Sequence, residues 1–288
     1  MSIRRSLTIL VIAAAAFAAL YVFYWIYVSG QIKEQTLAWA EDRRAEGYAI
    51  EMGRVDVNGF PAAFDVQVTD FAIGAPNNDW SAATRALHAR PASVFDLEVW
   101  DAQPESEVRA VIGSDEGPLE LSLEGARLLL QSVDGEVVRT EAYLDSAELT
   151  SDQSYPVIDA LGRRIEDVEI FLSAEDPDAG EVIIDSAQMS WGALDVSAAG
   201  VLGVDPAGFL AGTGQLGLSD PERFLDALQQ AGILDNRARQ FAQIAVAIAP
   251  RNEEDRVVLP VSFNGGKAYI GPAPVGAAPR IHAPETNS

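Results

Sequence analysis

The chain has 288 residues, of which 48% are hydrophobic and 22% charged, and its formal net charge at pH 7 is −23. This length and apolar content suffice for a large folded core. The absence of cysteine excludes a disulfide framework, a thiol nucleophile and a cysteine-ligated metal centre. The acidity disfavours nucleic acid as a partner, because a negative surface repels phosphates instead of releasing their counterions.

The N-terminal region predicts a transmembrane helix. Residues 7–28 form a run of 22 residues without a charge, and a helix of that length rises about 33 Å, enough to cross a bilayer. Arg4 and Arg5 precede the run, so the positive-inside rule places the N-terminus in the cytoplasm and the rest of the chain outside. Four aromatic residues form an interfacial belt near the far end of the run: Tyr21, Tyr24, Trp25 and Tyr27.

A cleaved signal peptide is the alternative interpretation of this segment. Signal peptides have an apolar region of about 7–15 residues, followed by small residues at the cleavage site. Here the run is longer, bulky aromatic residues stand where small ones are required, and Val28-Ser29-Gly30 is a poor site. The pattern therefore favours an uncleaved anchor.

The remainder divides into three parts. Residues 31–47 continue as a juxtamembrane helix that stops at Gly47. Residues 48–276 form a β-rich domain. Residues 277–288 are polar and contain proline, so we expect a disordered tail. Residues 1–30 are the cytoplasmic stub and the anchor.

The β-rich domain is predicted from hydrophobic residues that alternate with polar ones. Such alternation occurs in Val55 and Val57, in Phe64, Val66 and Val68, in Leu119 to Leu123, in Val168 to Leu172 and in Val257 to Phe263. A change of phase at Asp70-Phe71 indicates a bulge. The connections are too short for the crossovers that parallel strands need. The sequence therefore predicts a mainly β fold, a long curved antiparallel meander with one wet face.

Two short helices are predicted near the C-terminus. Residues 219–234 begin with Asp220 as N-cap and Pro221 at the first helical position, and Gly232 follows as C′. A second helix covers residues 235–249 and ends at Pro250. Both have the narrow apolar stripe of helices that cover a sheet.

The sequence assigns no catalytic, cofactor-binding or metal-binding residue. His88 has no histidine or cysteine partner nearby in the sequence, and GTGQLG at 212–217 lacks the βαβ context of a dinucleotide-binding loop. The glycines of that segment instead predict a strand packed closely against another element. Gly59-Phe60-Pro61 predicts a turn or kink that places the Phe60 ring on the core. Four aromatic residues are candidates either for lining an apolar ligand groove or for the core: Phe60, Trp80, Trp100 and Trp191.

Several segments in this order resemble an uncharacterised bacterial family, the domain of unknown function 2125, which is typical of alphaproteobacteria. The segments are VNGFPAAFDVQV, NDWSAATRALHARP, GTGQLGLSDPERFLDALQQAGIL and VVLPVSFNGGKAYIGPAPVG. The resemblance covers about residues 10–276. It implies a single-pass protein of the inner membrane with its bulk in the periplasm, and it carries over no site residues.

Two classes of function remain open. The first is a non-enzymatic envelope protein that binds or passes phospholipid or lipid A-type acyl chains on one sheet face, by fold-level analogy to envelope lipid-handling proteins, or that scaffolds envelope proteins. The second is a periplasmic hydrolase that uses carboxylates, supported only by the abundance of Asp and Glu. The apolar sheet face can be an open groove or a closed core, and the sequence does not distinguish them.

The topology can be tested with a reporter enzyme that is active only after export, fused after Ser288. We expect an active reporter and a mature protein that keeps its N-terminus, because the apolar run is too long for a signal peptide. An inactive reporter, or a mature N-terminus near residue 30, contradicts the prediction.

Overall fold

The computed structural model describes residues 3–113, 117–134, 136–174, 180–252 and 255–280, with side chains from residue 14 onward. The described part contains four helices and sixteen strands. The helices are α1 (Ile3–Ala45), α2 (Pro156–Leu161), α3 (Pro221–Gln230) and α4 (Asn236–Ile248). The strands are β1 (Ala49–Glu51), β2 (Val55–Asn58), β3 (Asp65–Gly74), β4 (Trp80–Ser93), β5 (Asp96–Pro104), β6 (Val108–Ile112), β7 (Leu119–Glu124), β8 (Arg127–Val133), β9 (Glu136–Thr150), β10 (Arg164–Ser173), β11 (Val182–Trp191), β12 (Leu194–Val204), β13 (Leu210–Leu218), β14 (Val257–Asn264), β15 (Lys267–Ile270) and β16 (Ala273–Ala277).

The strands form one sheet in which each pairing between them is antiparallel. Its main path runs β1-β3-β4-β5-β8-β9 and then in chain order to β16. This confirms the mainly β class and the antiparallel sheet. The meander is not simple, because β2 joins the edge of β3, and β6 and β7 leave the main path.

The sheet splits between β4 and β9. Residues 87–93 of β4 pair with β5, whereas residues 80–83 of the same strand pair with β6. On the other side, β9 pairs with β8 through residues 136–143 and with β7 through residues 146–150. Two short strand pairs, β5·β8 and β6·β7, therefore lie end to end between two long strands.

The burial pattern changes phase at the row of the split. In β4 the less exposed residues have even numbers up to the buried Ala86. From the half-buried Leu87 onward, the less exposed residues include the odd-numbered ones. In the flanking strands, Asp70 and Asp167 have positive φ values of 50° and 52°. The pairing of β3 with β4 continues without a register shift across Asp70. A left-handed residue thus takes the place of the predicted bulge, and it allows the strand to change its buried side.

Helix α1 is continuous through the predicted anchor and juxtamembrane segments and ends two residues before Gly47, whose φ is +95°. Within the described residues, Ala14–Ala45 is long and apolar enough to cross a membrane. The C-terminal part of the helix also packs on the sheet. Trp25 donates a hydrogen bond from Nε1 to the Ala63 carbonyl (3.0 Å) and stacks on the buried ring of Phe64.

The two predicted C-terminal helices are confirmed, together with their caps. The side chains of Asp220 and Asp235 accept hydrogen bonds from the amides of Arg223 and Ala238. Leu225 and Ala227 of α3 are fully buried, and they belong to the apolar clusters that cover the C-terminal strands. The short helix α2, which the sequence pattern did not indicate, buries Ile158 and Leu161 at the same end.

The predicted disordered tail does not begin at residue 277. Ala278 is buried and its amide donates to the Gly266 carbonyl, and Arg280 forms a β-bridge with Phe209. Main-chain pairing to two earlier strands therefore holds residues 277–280. The rest of the predicted tail, residues 281–288, lies outside the described residues.

The close strand packing predicted for the glycine-rich segment is present in β12 and β13. Gly200 and Gly214 stand directly opposite each other. A Cβ added to Gly200 meets the Thr213 carbonyl oxygen at 2.5 Å, whereas a Cβ added to Gly203 of the same strand has 3.5 Å to its nearest neighbours. Only glycine fits at the first position, because backbone atoms cannot move aside.

We therefore predict that Gly200→Ala lowers the free energy of unfolding of the full chain by about 1–3 kcal/mol, the cost of overpacking. The matched variant Gly203→Ala should stay within about 0.5 kcal/mol of the wild type. Urea denaturation in a fixed detergent measures both. Equal stability of the two variants contradicts the close approach.

Candidate functional site

An apolar cleft of about 380 Å³ opens where the sheet splits. Its walls come from eight strands, β3 to β10, and the β7–β8 turn. The lining residues are Phe71, Ala82, Ala83, Thr84, Leu87, Ala102, Pro104, Val108, Leu123, Ala126, Arg127, Leu128, Ala142, Tyr143, Leu144, Val168 and Ile170. The volume falls within the range of ligand pockets, about 300–1,000 Å³.

The cleft exists because, at the row of the split, neither long strand has a strand partner on the edge that faces the other long strand. Residues 84–86 of β4 lie between its pairings with β5 and β6. Their polar groups are met by the β5–β6 connection instead: the Glu105 amide donates to the Ala86 carbonyl (2.9 Å), and the Thr84 hydroxyl donates to the Glu107 carbonyl (3.4 Å). One backbone carbonyl and one side-chain hydroxyl of this row are thus satisfied without another strand that would close the opening.

A row of apolar side chains crosses the sheet at the cleft. Ala102 of β5, Leu128 of β8, Ala142 of β9 and Ile170 of β10 are consecutive cross-strand partners. Directly paired residues project from the same face of a sheet. The alternation of Val168 and Ile170, which the sequence shows, therefore forms one wall of the cleft.

The charged and phenolic groups of the lining are already paired. Arg127 donates from Nε and Nη2 to the two carboxylate oxygens of Asp101, at 3.0 and 2.8 Å. These hydrogen bonds hold the pKa of Asp101 below its usual value and raise that of Arg127. Tyr143 donates to Glu141 (2.9 Å), and this bond to a carboxylate raises the tyrosine pKa.

Among the residues that the structure describes, no Asp, Glu or His lines the cleft. The chemistry that the cleft offers is therefore the exclusion of water from an apolar surface. Its walls include one paired cation, Arg127, and two hydroxyl groups that already donate hydrogen bonds, Thr84 and Tyr143. Such a surface suits an aliphatic ligand, which requires no hydrogen-bond partner.

None of the four predicted aromatic candidates lines the cleft. Trp100 and Trp191 are packed, and their indole N–H groups donate to the carbonyls of Leu97 and Gly162, both at 2.7 Å. Each belongs to an apolar cluster outside the cleft. These two tryptophans therefore pack against the core and do not line the cleft.

Trp80 and Phe60 are exposed. Trp80 begins β4 opposite Ile112, with 40% of its surface accessible. Phe60 is 50% accessible, so the prediction that its ring lies on the core is wrong. The ring instead contacts Tyr21 and Trp25 of α1, and the Phe60–Pro61 peptide bond is cis.

His88 lies on β4, near a second, polar depression. Its Nδ1 is 3.2 Å from Asp65, and Arg90 donates to the other oxygen of that carboxylate at 3.0 Å. The arginine bond, followed by the histidine contact, lowers the pKa of Asp65. In the part of the chain that the structure describes, no three His, Cys, Asp or Glu side chains are grouped so that they could hold a metal ion.

The chain matches the profile of a bacterial family over residues 25–179 and 157–279. The family is described as uncharacterized proteins conserved in bacteria, the domain of unknown function DUF2125. Since the two matches together extend over most of the chain, the protein belongs to this family, as the sequence motifs predicted. No curated protein and no solved structure matches the chain.

The paired carboxylates near the cleft generate a testable dependence on pH. A carboxyl whose pKa is lower in the folded state contributes stability above its unfolded pKa, about 3.9 for Asp, and this stability is lost as the pH falls through the folded value. We expect Asp101→Asn to reduce the loss of unfolding free energy between about pH 5 and pH 3, and Arg127→Gln to reduce it similarly.

Chemical denaturation at a series of pH values measures this effect. The two variants should have flatter profiles than the wild type, because each removes one side of the same charged pair. An acid profile as steep as the wild type in both variants shows that the pair does not contribute.

Proposed function

We propose that this protein is a membrane-anchored protein of the bacterial envelope that binds one acyl chain of a phospholipid or lipid A-type molecule in the cleft. The single observation that carries the proposal is the apolar opening of about 380 Å³ at the split of the sheet. A closed sheet with all its apolar residues packed has no such opening, whereas an acyl chain gains about 0.8 kcal/mol for each CH₂ group it buries.

The position of the cleft in the sheet also supports a ligand. The helices α2, α3 and α4 contribute to the apolar cluster of the C-terminal strands, and α1 contributes to that of β2 and β3. None of the cleft-lining residues belongs to a helix. An incoming acyl chain can therefore reach the cleft without moving a helix.

The proposed anchor is α1, with the N-terminus in the cytoplasm and the sheet in the periplasm. Its packing favours an anchor over a cleaved signal peptide. Trp25 and Val28 pack against the cluster around the fully buried Phe64, and cleavage near residue 30 removes both. Loss of Trp25 uncovers the ring of Phe64 and leaves a core side chain in water.

The distance between the anchor and the cleft bears on the kind of lipid handling. Val94, at the tip of the β4–β5 hairpin, accepts a hydrogen bond from Tyr24 of α1, whereas Leu87 of the same hairpin lines the cleft. Seven residues of strand separate them, which corresponds to about 23 Å. We therefore propose that an acyl chain in the cleft has left the membrane, and that the protein holds or passes lipid outside the bilayer. The proposed activity is binding, not catalysis, since the cleft lining has no carboxylate or histidine.

The strand β6 offers a matched pair of variants. Val108 lines the cleft, whereas Val111 of the same strand does not and is 36% exposed. We expect Val108→Asp to abolish the lipid adduct seen by native mass spectrometry of the full chain released from detergent, because a buried carboxylate repels an acyl chain. Val111→Asp should retain the adduct of the wild type.

A second variant adds volume without charge. Ala142→Phe fills the cleft from β9 and should also remove the adduct, while its thermal transition remains cooperative. Loss of lipid in both cleft variants, with the adduct retained in Val111→Asp, supports the proposal. A wild-type protein without a lipid adduct, or cleft variants that retain it, contradicts acyl-chain binding and favours a role as an envelope scaffold.

A further inference from the structure

Two loop tips of the sheet carry no charge. Residues 59–64 connect β2 to β3, and residues 91–95 lead to the tip of the β4–β5 hairpin. Neither segment contains Asp, Glu, Lys or Arg, in a chain with a formal net charge of −23. We call these two segments the apolar tips.

Both apolar tips contact α1 at the level of Tyr21 to Trp25. The hydroxyl of Tyr21 donates to the Pro61 carbonyl, and that of Tyr24 donates to the Val94 carbonyl at 2.8 Å. The ring of Phe60 lies 5.4 Å from that of Trp25, and the ring of Phe95 lies 5.8 Å from that of Tyr24. The tips are thus fixed beside the helix.

The contact lies within the apolar run of α1, not beyond its end. Tyr21 precedes Val28, the last residue of the run, by seven residues, or about 10 Å of helix. On its other faces the helix remains apolar and open at the same level, since Phe23 is 72% and Tyr27 61% exposed. A bilayer that covers these faces of the helix also reaches the tips.

The aromatic rings of the tips are exposed as well. Phe60 is 50% and Phe95 75% accessible. The parts of these rings that α1 does not cover face water, whereas in the interfacial layer of a membrane they lose contact with water at a gain of about 25 cal/mol per Å². The tips themselves bring no ionised group to the lipid, which avoids the cost of its desolvation. The nearest acidic residues, Asp65 and Asp96, are the first residues of β3 and β5.

We propose that the two apolar tips insert into the interfacial layer of the bilayer that α1 crosses, with Phe60 and Phe95 as the inserted side chains. The protein then has three attachments to the membrane, one helix and two loops. The loops fix the direction of the first strands relative to the bilayer, so that the cleft stands at a constant height above it. This inference depends on the anchorage given under the proposed function, and it does not depend on lipid in the cleft.

The natural absence of cysteine makes the test direct. Single cysteines replace Phe60, Phe95, Phe23 and Val133 in the full chain, and each is labelled with an environment-sensitive fluorophore. Phe23 reports on the exposed face of α1, and Val133 is an exposed apolar residue (46%) at the β8–β9 turn. The labelled proteins are placed in phosphatidylcholine–phosphatidylglycerol vesicles, with quencher either as iodide in the water or as doxyl groups on the lipid chains.

We expect the labels at positions 60, 95 and 23 to emit at shorter wavelength, to be quenched by the doxyl lipid and to be protected from iodide. The label at position 133 should show the reverse. Iodide quenching at 60 and 95 like that at 133, with position 23 in the lipid, overturns the insertion of the tips but leaves the anchor intact. Iodide quenching at 23 as well overturns both. Protection at 60 and 95 from both quenchers shows that protein covers the tips, which also overturns the proposal.

Discussion

The length of two strands determines the architecture at the centre of this protein. β4 has 14 residues and β9 has 15, whereas the four strands that lie between them have five to nine. No single short strand can satisfy the main-chain donors and acceptors of such an edge, because unpaired buried groups are costly. The edge is therefore shared by two strand pairs placed end to end, and the junction between them is the cleft.

At the row of the split, the neighbouring strands also change which of their two faces is buried. The left-handed residues Asp70 and Asp167 stand in β3 and β10, on the two sides of the split. Aspartate tolerates this conformation better than most residues with a Cβ. Because the buried face of these strands changes at this row, the apolar side chains from the two sides of the split meet there. The lining of the cleft therefore contains residues from both sides.

Elements with a local signal could be predicted from the sequence. Alternation located five of the sixteen described strands, β2, β3, β7, β10 and β14. The caps Asp220 and Asp235 located α3 and α4, since a cap is a contact between residues three apart. The six-residue helix α2 has no side-chain cap and too few residues for a periodic stripe.

The cleft could not be predicted, because it depends on which distant strands share an edge, and alternation does not specify strand partners. Trp100 and Trp191 do not line the cleft, because their indole N–H groups donate to backbone carbonyls outside it, and these distant partners are not visible in the sequence. The prediction for Phe60 is wrong because the sequence does not show that α1 packs against the sheet and contacts this ring.

The central claim is that an acyl chain occupies the split of the sheet. The most direct measurement is photocrosslinking of the full chain in nanodiscs with a phospholipid that carries a diazirine near the end of one acyl chain, followed by peptide mass spectrometry. The account predicts adducts in β4, β9 and β10 at the cleft, around Leu87, Ala142 and Val168, in addition to adducts on α1. Adducts confined to α1 and the two apolar tips would show that the lipid stays in the bilayer and would contradict the account.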